Sequence, residues 1–432
     1  MKEMKNLLLT CGVGVVCLCG CGDDTSRGVE LYERFQAALV AEDAAEKERA
    51  AEYLQQAADA GHALAMCRMG QRLMGSDKPE DMSAGVEWLK RAAETGEGEG
   101  LYLLGLCYDQ GRGTEKDANR AVECWQGAAA KGFAPALVTL GMAYANGYGG
   151  LEKSIEKAVE NYEQAASLED ARGCYSMAVC YDQGKGVEKD AAKAVAYARR
   201  AAEQQHSDAC LFMGKAHLMG YGGAEKSPAQ AAPYLLKAAD AGNAEAALQL
   251  GKLAFDGTGI KKDYGLAARC FQLAAQSGNS EAFCLLGACY DAGLGLKKDA
   301  AKAVECWKRA ADGENARAAY FLGRCVEKGH GARKDAAVAA RLYAMAARRG
   351  DVLGTLAYAE CLLNGAGVEK NEAEAVQIYE RLAKAGVPQA MLQLGNCLDE
   401  GRGVNKDADK ARDWWRQAAA AGSEEAANKL KP

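Results

Sequence analysis

The sequence predicts an all-α fold, a solenoid built from helical hairpins repeated about ten times. Three observations carry this. Gly-x-Gly, then Lys and an Asp, Ser or Asn, recurs about every 36 residues from Gly111 to Asp407, a period that belongs to stacked supersecondary units. Ala stands four residues past each of those Asp, Ser or Asn positions, at Ala121, Ala158, Ala194, Ala231, Ala267, Ala303, Ala339, Ala375 and Ala411. Only 6 prolines interrupt 432 residues, and Ala dominates the periodic segments, as long runs of helix require. Because each unit of such an array packs on its neighbours, one elongated body is expected rather than the two or three domains that length suggests.

Residues 1–21 stand apart. Met1-Lys-Glu-Met-Lys5 is a short basic leader, Leu7 to Leu18 is apolar, and Leu18-Cys19-Gly20-Cys21 closes the segment before Asp23 and Asp24. The apolar stretch falls short of the roughly 20 residues that a bilayer span needs, so a secretory signal is expected. Leu-x-Gly-Cys resembles the lipobox of bacterial lipoproteins, which implies lipidation of Cys21 and stable anchoring by two acyl chains. Val16 and Leu18 precede Cys17 and Cys19 where a small residue is needed, so neither fits. Residues 22–61 are expected to form a linker and capping helices, 62–422 the repeat array, and 423–432 a closing helix.

Within a unit, two helices are joined by the glycine loop. Gly111, Gly147 and their equivalents stop the first helix, since glycine takes the left-handed conformation without a Cβ penalty. The second helix starts at Asp117, Ser154, Asp190, Ser227, Asp263, Asp299, Asp335, Asn371 and Asp407, all side chains that cap an orphan amide. Pro228 follows Ser227 where a missing amide costs nothing. The first helix carries its own small site, at Gly105, Gly141, Gly214, Gly251, Gly287, Gly323 and Gly395 among others. Small residues facing small residues would let the two helices approach closely. Aromatics eight past the cap, Trp125, Tyr162, Phe271, Trp307, Tyr343, Tyr379 and Trp415, would fill the space between units.

This succession of Leu-Gly, Gly-x-Gly-Val-x-Lys-Asp, Lys-Ala and Ala-Ala-x-x-Gly resembles the Sel1-like repeat, a relative of the tetratricopeptide repeat, over about residues 62–422. The resemblance implies a right-handed αα superhelix that binds proteins or peptides, often as an adaptor or an envelope or secretion factor. Two departures are visible. The first unit has Gly75-Ser-Asp-Lys-Pro79 in place of the double-glycine loop, and Gly147-Tyr-Gly-Gly150 and Gly220-Tyr-Gly-Gly223 carry an extra residue.

Composition narrows the function classes. Net charge is −6, with no long run of either sign, which argues against nucleic acid. The chain has 17 cysteines, which in an exported protein would suggest disulfides. Their register argues otherwise, because equivalent positions on stacked helices lie about 10 Å apart, beyond the roughly 7 Å reach of a bridge. They are expected as buried small hydrophobes, although within one unit Cys107 could meet Cys124 and Cys289 could meet Cys306. A cysteine-rich branch of the same family is linked to β-lactam binding or hydrolysis, but Ala128-Ala129, Ala201-Ala202 and Ala310-Ala311 stand where its first paired cysteine would be. Ser154-Ile-Glu-Lys157 matches the Ser-x-x-Lys of serine β-lactamases, yet no Lys-Thr-Gly or Ser-Asp-Asn accompanies it. Gly220 to Ser227 is similar to a phosphate loop but has Glu225 before its Lys and no preceding strand. His62, His206, His217 and His330 lack metal-ligand spacing. No catalytic residue, metal or cofactor is expected.

A partner is expected on the first helices, where residues four and then three apart share a face. By resemblance to tetratricopeptide arrays that face lines a concave groove. It would carry Tyr102, Leu106 and Asp109, then Val138 and Met142, then Tyr175, Val179 and Asp182, followed by Lys215, Lys252, Tyr320 and Arg324. An apolar front half grading into a basic half suits an extended or helical peptide with an acidic end. The expectation is a non-catalytic scaffold for an unknown protein or peptide, lipid-anchored in a bacterial envelope on its periplasmic face. Its alternatives are a secreted β-lactam-binding or β-lactamase-type protein and a soluble cytosolic adaptor.

Overall fold

The computed structural model describes residues 23–41 and 43–431; the leader and Cys21 lie outside the described residues. Among these residues the chain forms 23 α-helices and no strand. They fall into two compact units, one ending at Asp190 and the other beginning at Ala191.

The first unit holds α1 (Asp23–Val40), α2 (Ala44–Asp59), α3 (Ala63–Met74), α4 (Pro79–Glu94), α5 (Gly98–Gln110), α6 (Ala118–Ala130), α7 (Ala134–Asn146), α8 (Ile155–Ser167) and α9 (Ala171–Gln183). The second holds α10 (Ala191–Glu203), α11 (Ser207–Met219), α12 (Pro228–Asp240), α13 (Ala244–Asp256), α14 (Tyr264–Gln276), α15 (Ser280–Ala292), α16 (Ala300–Asp312) and α17 (Ala316–Lys328). It continues through α18 (Ala336–Arg348), α19 (Val352–Asn364), α20 (Glu372–Lys384), α21 (Pro388–Glu400), α22 (Ala408–Ala420) and α23 (Glu424–Lys429). Within each unit a helix packs chiefly on the helices next to it in sequence, so α5 pairs with α6 and α13 with α14. This is the expected array of helical hairpins.

The helix ends follow the chemistry of their residues. Gly111 is left-handed, φ 66°, and its amide bonds the Cys107 carbonyl. Asp117, Ser154, Ser227, Asp263, Asp299, Asp335, Asn371 and Asp407 each accept from an amide two or three residues on. The first helices are capped too, by His62, Asp170, His206, Asn243, Asn279, Asn315 and Asp351, a second set of signals that the loop motif does not contain.

The second glycine of the loop does more than turn the chain. A Cβ on Gly113, φ 68°, would lie 2.4 Å from the Met82 carbonyl oxygen of α4, so the loop rests directly on the preceding hairpin's second helix. The same close approach recurs between Gly149 and Ala118, Gly331 and Ala300, and Gly403 and Glu372.

The first-helix small site meets the aromatic of its own hairpin. A Cβ on Gly105 would be 2.5 Å from Trp125 Nε1 and 3.1 Å from the Ala121 carbonyl. Gly287 sits in the same way against Trp307, whose Nε1 donates to the Cys284 carbonyl at 3.1 Å. The small residues therefore admit a large ring as well as a close backbone. Trp125 also packs with Leu140 of α7, the next hairpin, so the ring seals both the hairpin and the junction beyond it.

Candidate peptide-binding cleft

The α3–α4 loop lacks the double glycine of the later hairpins, and an open surface lies beside it. α3 and α4 are joined by residues 75–78. Gly75 has φ −78° and is not left-handed, Lys78 makes no side-chain cap, and Pro79 supplies the helix start. No second glycine is present to lie over α2 as Gly113 lies over α4. There the chain leaves a cleft of about 600 Å³, bounded by α1, α2, α3 and α5. Leu54, Met74 and Leu89 form its buried lining, and Phe35, Leu103 and Leu106 are half-buried in it. Leu39 stands at its edge 57 % exposed, and Val40 just beyond is 82 % exposed.

The polar side of the cleft is cationic. Lys47, Arg68, Arg72 and Arg112 line it and no carboxylate does. Arg68 is held by Glu99 at 2.5 Å and by Gln71 at 2.8 Å. Arg112 donates to the Met74 carbonyl, which fixes it at the mouth. Arg72 and Lys47 are exposed and have no carboxylate partner among the described residues.

The face expected from spacing is placed as follows. In the first unit Tyr102 is half-buried against Phe133, ring centroids 5.4 Å apart, and Leu106 lines the cleft. Asp109 accepts from the Tyr148 hydroxyl. Val138 is 4 % exposed and belongs to the core, which corrects its assignment to the groove, while Met142 is 48 % exposed. Tyr175, Val179 and Asp182 are half-buried. In the second unit Lys215 pairs with Glu245 and Lys252 with Glu281 at 2.7 Å. These two lysines tie one first helix to the next. Tyr320 is half-buried beside Phe321 and Tyr343. Arg324 is exposed and lies 5.8 Å over the Tyr320 ring. Sequence spacing found Leu106 but missed the rest of the cleft, and the signal available was the missing glycine pair at residues 75–79.

The other candidate chemistries have structural occupants. Ser154 accepts from the Lys157 amide at 3.2 Å and donates to Glu156 at 3.0 Å, while the Lys157 ammonium lies over the Tyr144 ring. Ser227 accepts from the Gln230 amide at 3.3 Å. His62 and His206 are helix caps, His217 meets the Glu225 carbonyl at 3.0 Å, and His330 meets Asp291 at 2.9 Å. Thirteen described cysteines are free, twelve of them buried. Burial pushes the thiols of Cys107, Cys124, Cys289 and Cys306 up to about 11. Among the described residues no group of three or more His, Cys, Asp or Glu is arranged to hold a metal, and no helix is long and apolar enough to cross a membrane.

Comparison with known proteins follows the same units. The profile of the Sel1 repeat matches residues 45–62, 63–96, 98–133, 134–170, 171–206, 207–243, 244–279, 280–315, 316–351, 353–387 and 388–423. A crystal structure of a protective antigen present in uropathogenic Escherichia coli strains, displaying an SLR fold, is 31% identical with a TM-score of 0.73, over 88% of this chain and 81% of that one. A Sel1 repeat protein from Oxalobacter formigenes is 27% identical with a TM-score of 0.51, over 57% of this chain and 99% of that one. Among curated proteins, DAP3-binding cell death enhancer 1 of Mus musculus is 38% identical over 91 residues, 21% of this chain. The ERAD-associated E3 ubiquitin-protein ligase component HRD3B of Arabidopsis thaliana is 36% identical over 103 residues, 24% of this chain. The matches span only 18% and 16% of those two proteins.

Proposed function

Because this chain belongs to the Sel1 repeat family, whose members generally act as protein-interaction scaffolds, we propose that it is a non-catalytic scaffold held at a bacterial cell envelope by a lipid on Cys21. The observation that carries the binding role is the open apolar cleft beside α2, where the α3–α4 loop lacks the double glycine. Concave apolar surface with a few placed charges is the usual form of a recognition site. The anchor rests on the basic leader, the apolar stretch and Leu18-Cys19-Gly20-Cys21.

Crosslinking in cells, followed by identification of what is captured, tests the scaffold; an array that captures no protein would overturn it. For the anchor, Cys21→Ala is expected to release the chain from the membrane fraction. Recovery of the parent in the soluble fraction with Met1 intact would sink that part. A chromogenic cephalosporin is expected to show no turnover, since Ser154 is engaged as a helix cap.

A further inference from the structure

We propose that the cleft between α1, α2, α3 and α5 docks an acidic amphipathic segment of a partner protein, whose apolar side chains enter among Phe35, Leu54 and Leu106 while its flanking carboxylates meet Arg72 and Lys47. This rests on the scaffold reading and names the site and the chemistry of its partner.

Charge complementarity chooses the occupant. Every charged group lining the cleft is basic. Arg72 and Lys47 stand exposed without a carboxylate partner among the described residues, whereas Lys215 and Lys252 are already paired. An apolar surface rimmed by unpaired cations is matched by a segment that alternates large apolar and acidic residues.

The chain's own leader does not fit, because its charges near the apolar stretch include Lys2 and Lys5. An anionic bilayer would meet only the exposed Leu39 and Val40, whereas most of the apolar lining, Leu54, Met74 and Leu89, is buried.

The test is selection of a random 16-residue peptide library on the purified full chain, with recovered peptides resynthesised and measured by fluorescence anisotropy. The expected sequences place Leu, Phe or Met three and four residues apart among Asp and Glu. Arg72→Glu should weaken them tenfold or more, Leu39→Glu should abolish binding, and Arg341→Glu, at an exposed position in the second unit, should leave it unchanged. Both cleft variants alter exposed side chains, and matching melting curves keep the result separate from folding. Recovery of basic or neutral peptides, equal binding to Leu39→Glu, or no binders at all would overturn the proposal. So would phosphatidylglycerol vesicles bound by the parent and lost in Leu39→Glu, or self-association lost in that variant. A partner crosslinked equally by the parent and by Leu39→Glu would remove the cleft assignment and leave the scaffold standing.

Discussion

A Cβ on Gly295 would sit 2.0 Å from the carbonyl oxygen of Tyr264, the first residue of α14. The glycine is left-handed, φ 68°, so a side chain there is penalised twice. Gly278 is left-handed too, φ 84°, but has nothing within 4 Å of an added Cβ. Gly278→Ala is therefore expected to cost about 1–2 kcal/mol from backbone alone. Gly295→Ala should cost at least about 1–3 kcal/mol more, because the loop must lift from α14. Urea midpoints of the two variants measure the difference, and equal midpoints would contradict it.

The hairpin seam gives a second expectation. An added Cβ on Gly287 would meet Trp307 Nε1 at 2.6 Å, and Trp307 is 2 % exposed. Gly287→Ala should destabilise by about 1–3 kcal/mol through overpacking, and Trp307→Ala by about 3–5 kcal/mol through the cavity it leaves. Thermal melts read both, and a neutral Gly287→Ala would show that the seam yields.

His62 is expected to make the N-terminal hairpins pH-sensitive. Its Nδ1 accepts the Ala65 amide at 3.2 Å and its ring stacks on Tyr32 at 4.5 Å. Burial holds it below its ordinary value of 6.5. Above that value both folded and unfolded chains are neutral and the full contribution is present. As pH falls below it, the unfolded chain takes up the proton first, and stability drops until pH passes the lowered folded value. Hydrogen exchange along α3 should therefore speed up on acidification, and His62→Asn, which keeps a cap, should flatten that dependence.

Ion pairs should differ by burial. Asp351 is 6 % exposed, accepts the Gly354 amide at 2.8 Å and holds Arg317 Nε at 2.5 Å. Asp351→Ala is expected to cost about 2–3 kcal/mol, combining a lost cap and a lost charge-assisted bond. The more exposed Lys252–Glu281 pair should couple by less than about 1 kcal/mol in a double-mutant cycle.

The thiols should be inert in the folded chain. With Cys107, Cys289, Cys361 and Cys397 pushed up to about 11 by burial, little thiolate exists near neutral pH. Alkylation at pH 8 should be slow until denaturant is added, and prior reduction should release no further thiol from these positions. Extra thiols on reduction would restore the Cys107–Cys124 or Cys289–Cys306 bridge as a reading.

The hairpins were legible because their signals are local: left-handed glycine, capping side chain and small site recur at fixed offsets. What the spacing could not convey is which long side chains are already engaged. Lys215 and Lys252 occupy the right helical face, but their partners Glu245 and Glu281 come from the next hairpin. Val138 shares that face by spacing and is nevertheless closed off in the core. Conversely, the cleft depends on a contact that is missing, and it shows in the sequence only as a lapse in the glycine pattern at residues 75–79.

The resting of each loop on the helix before it gives the array a polarity. Where the double-glycine loop is present, a hairpin is roofed by its successor and not by its predecessor. Trimming repeats from the C-terminal side would bare the start of a second helix and create a fresh apolar recess, while adding repeats there would cover one. Residues 75–78 amount to a roof left off at the amino end, so a binding surface arises where stacking is incomplete and needs no specialised fold.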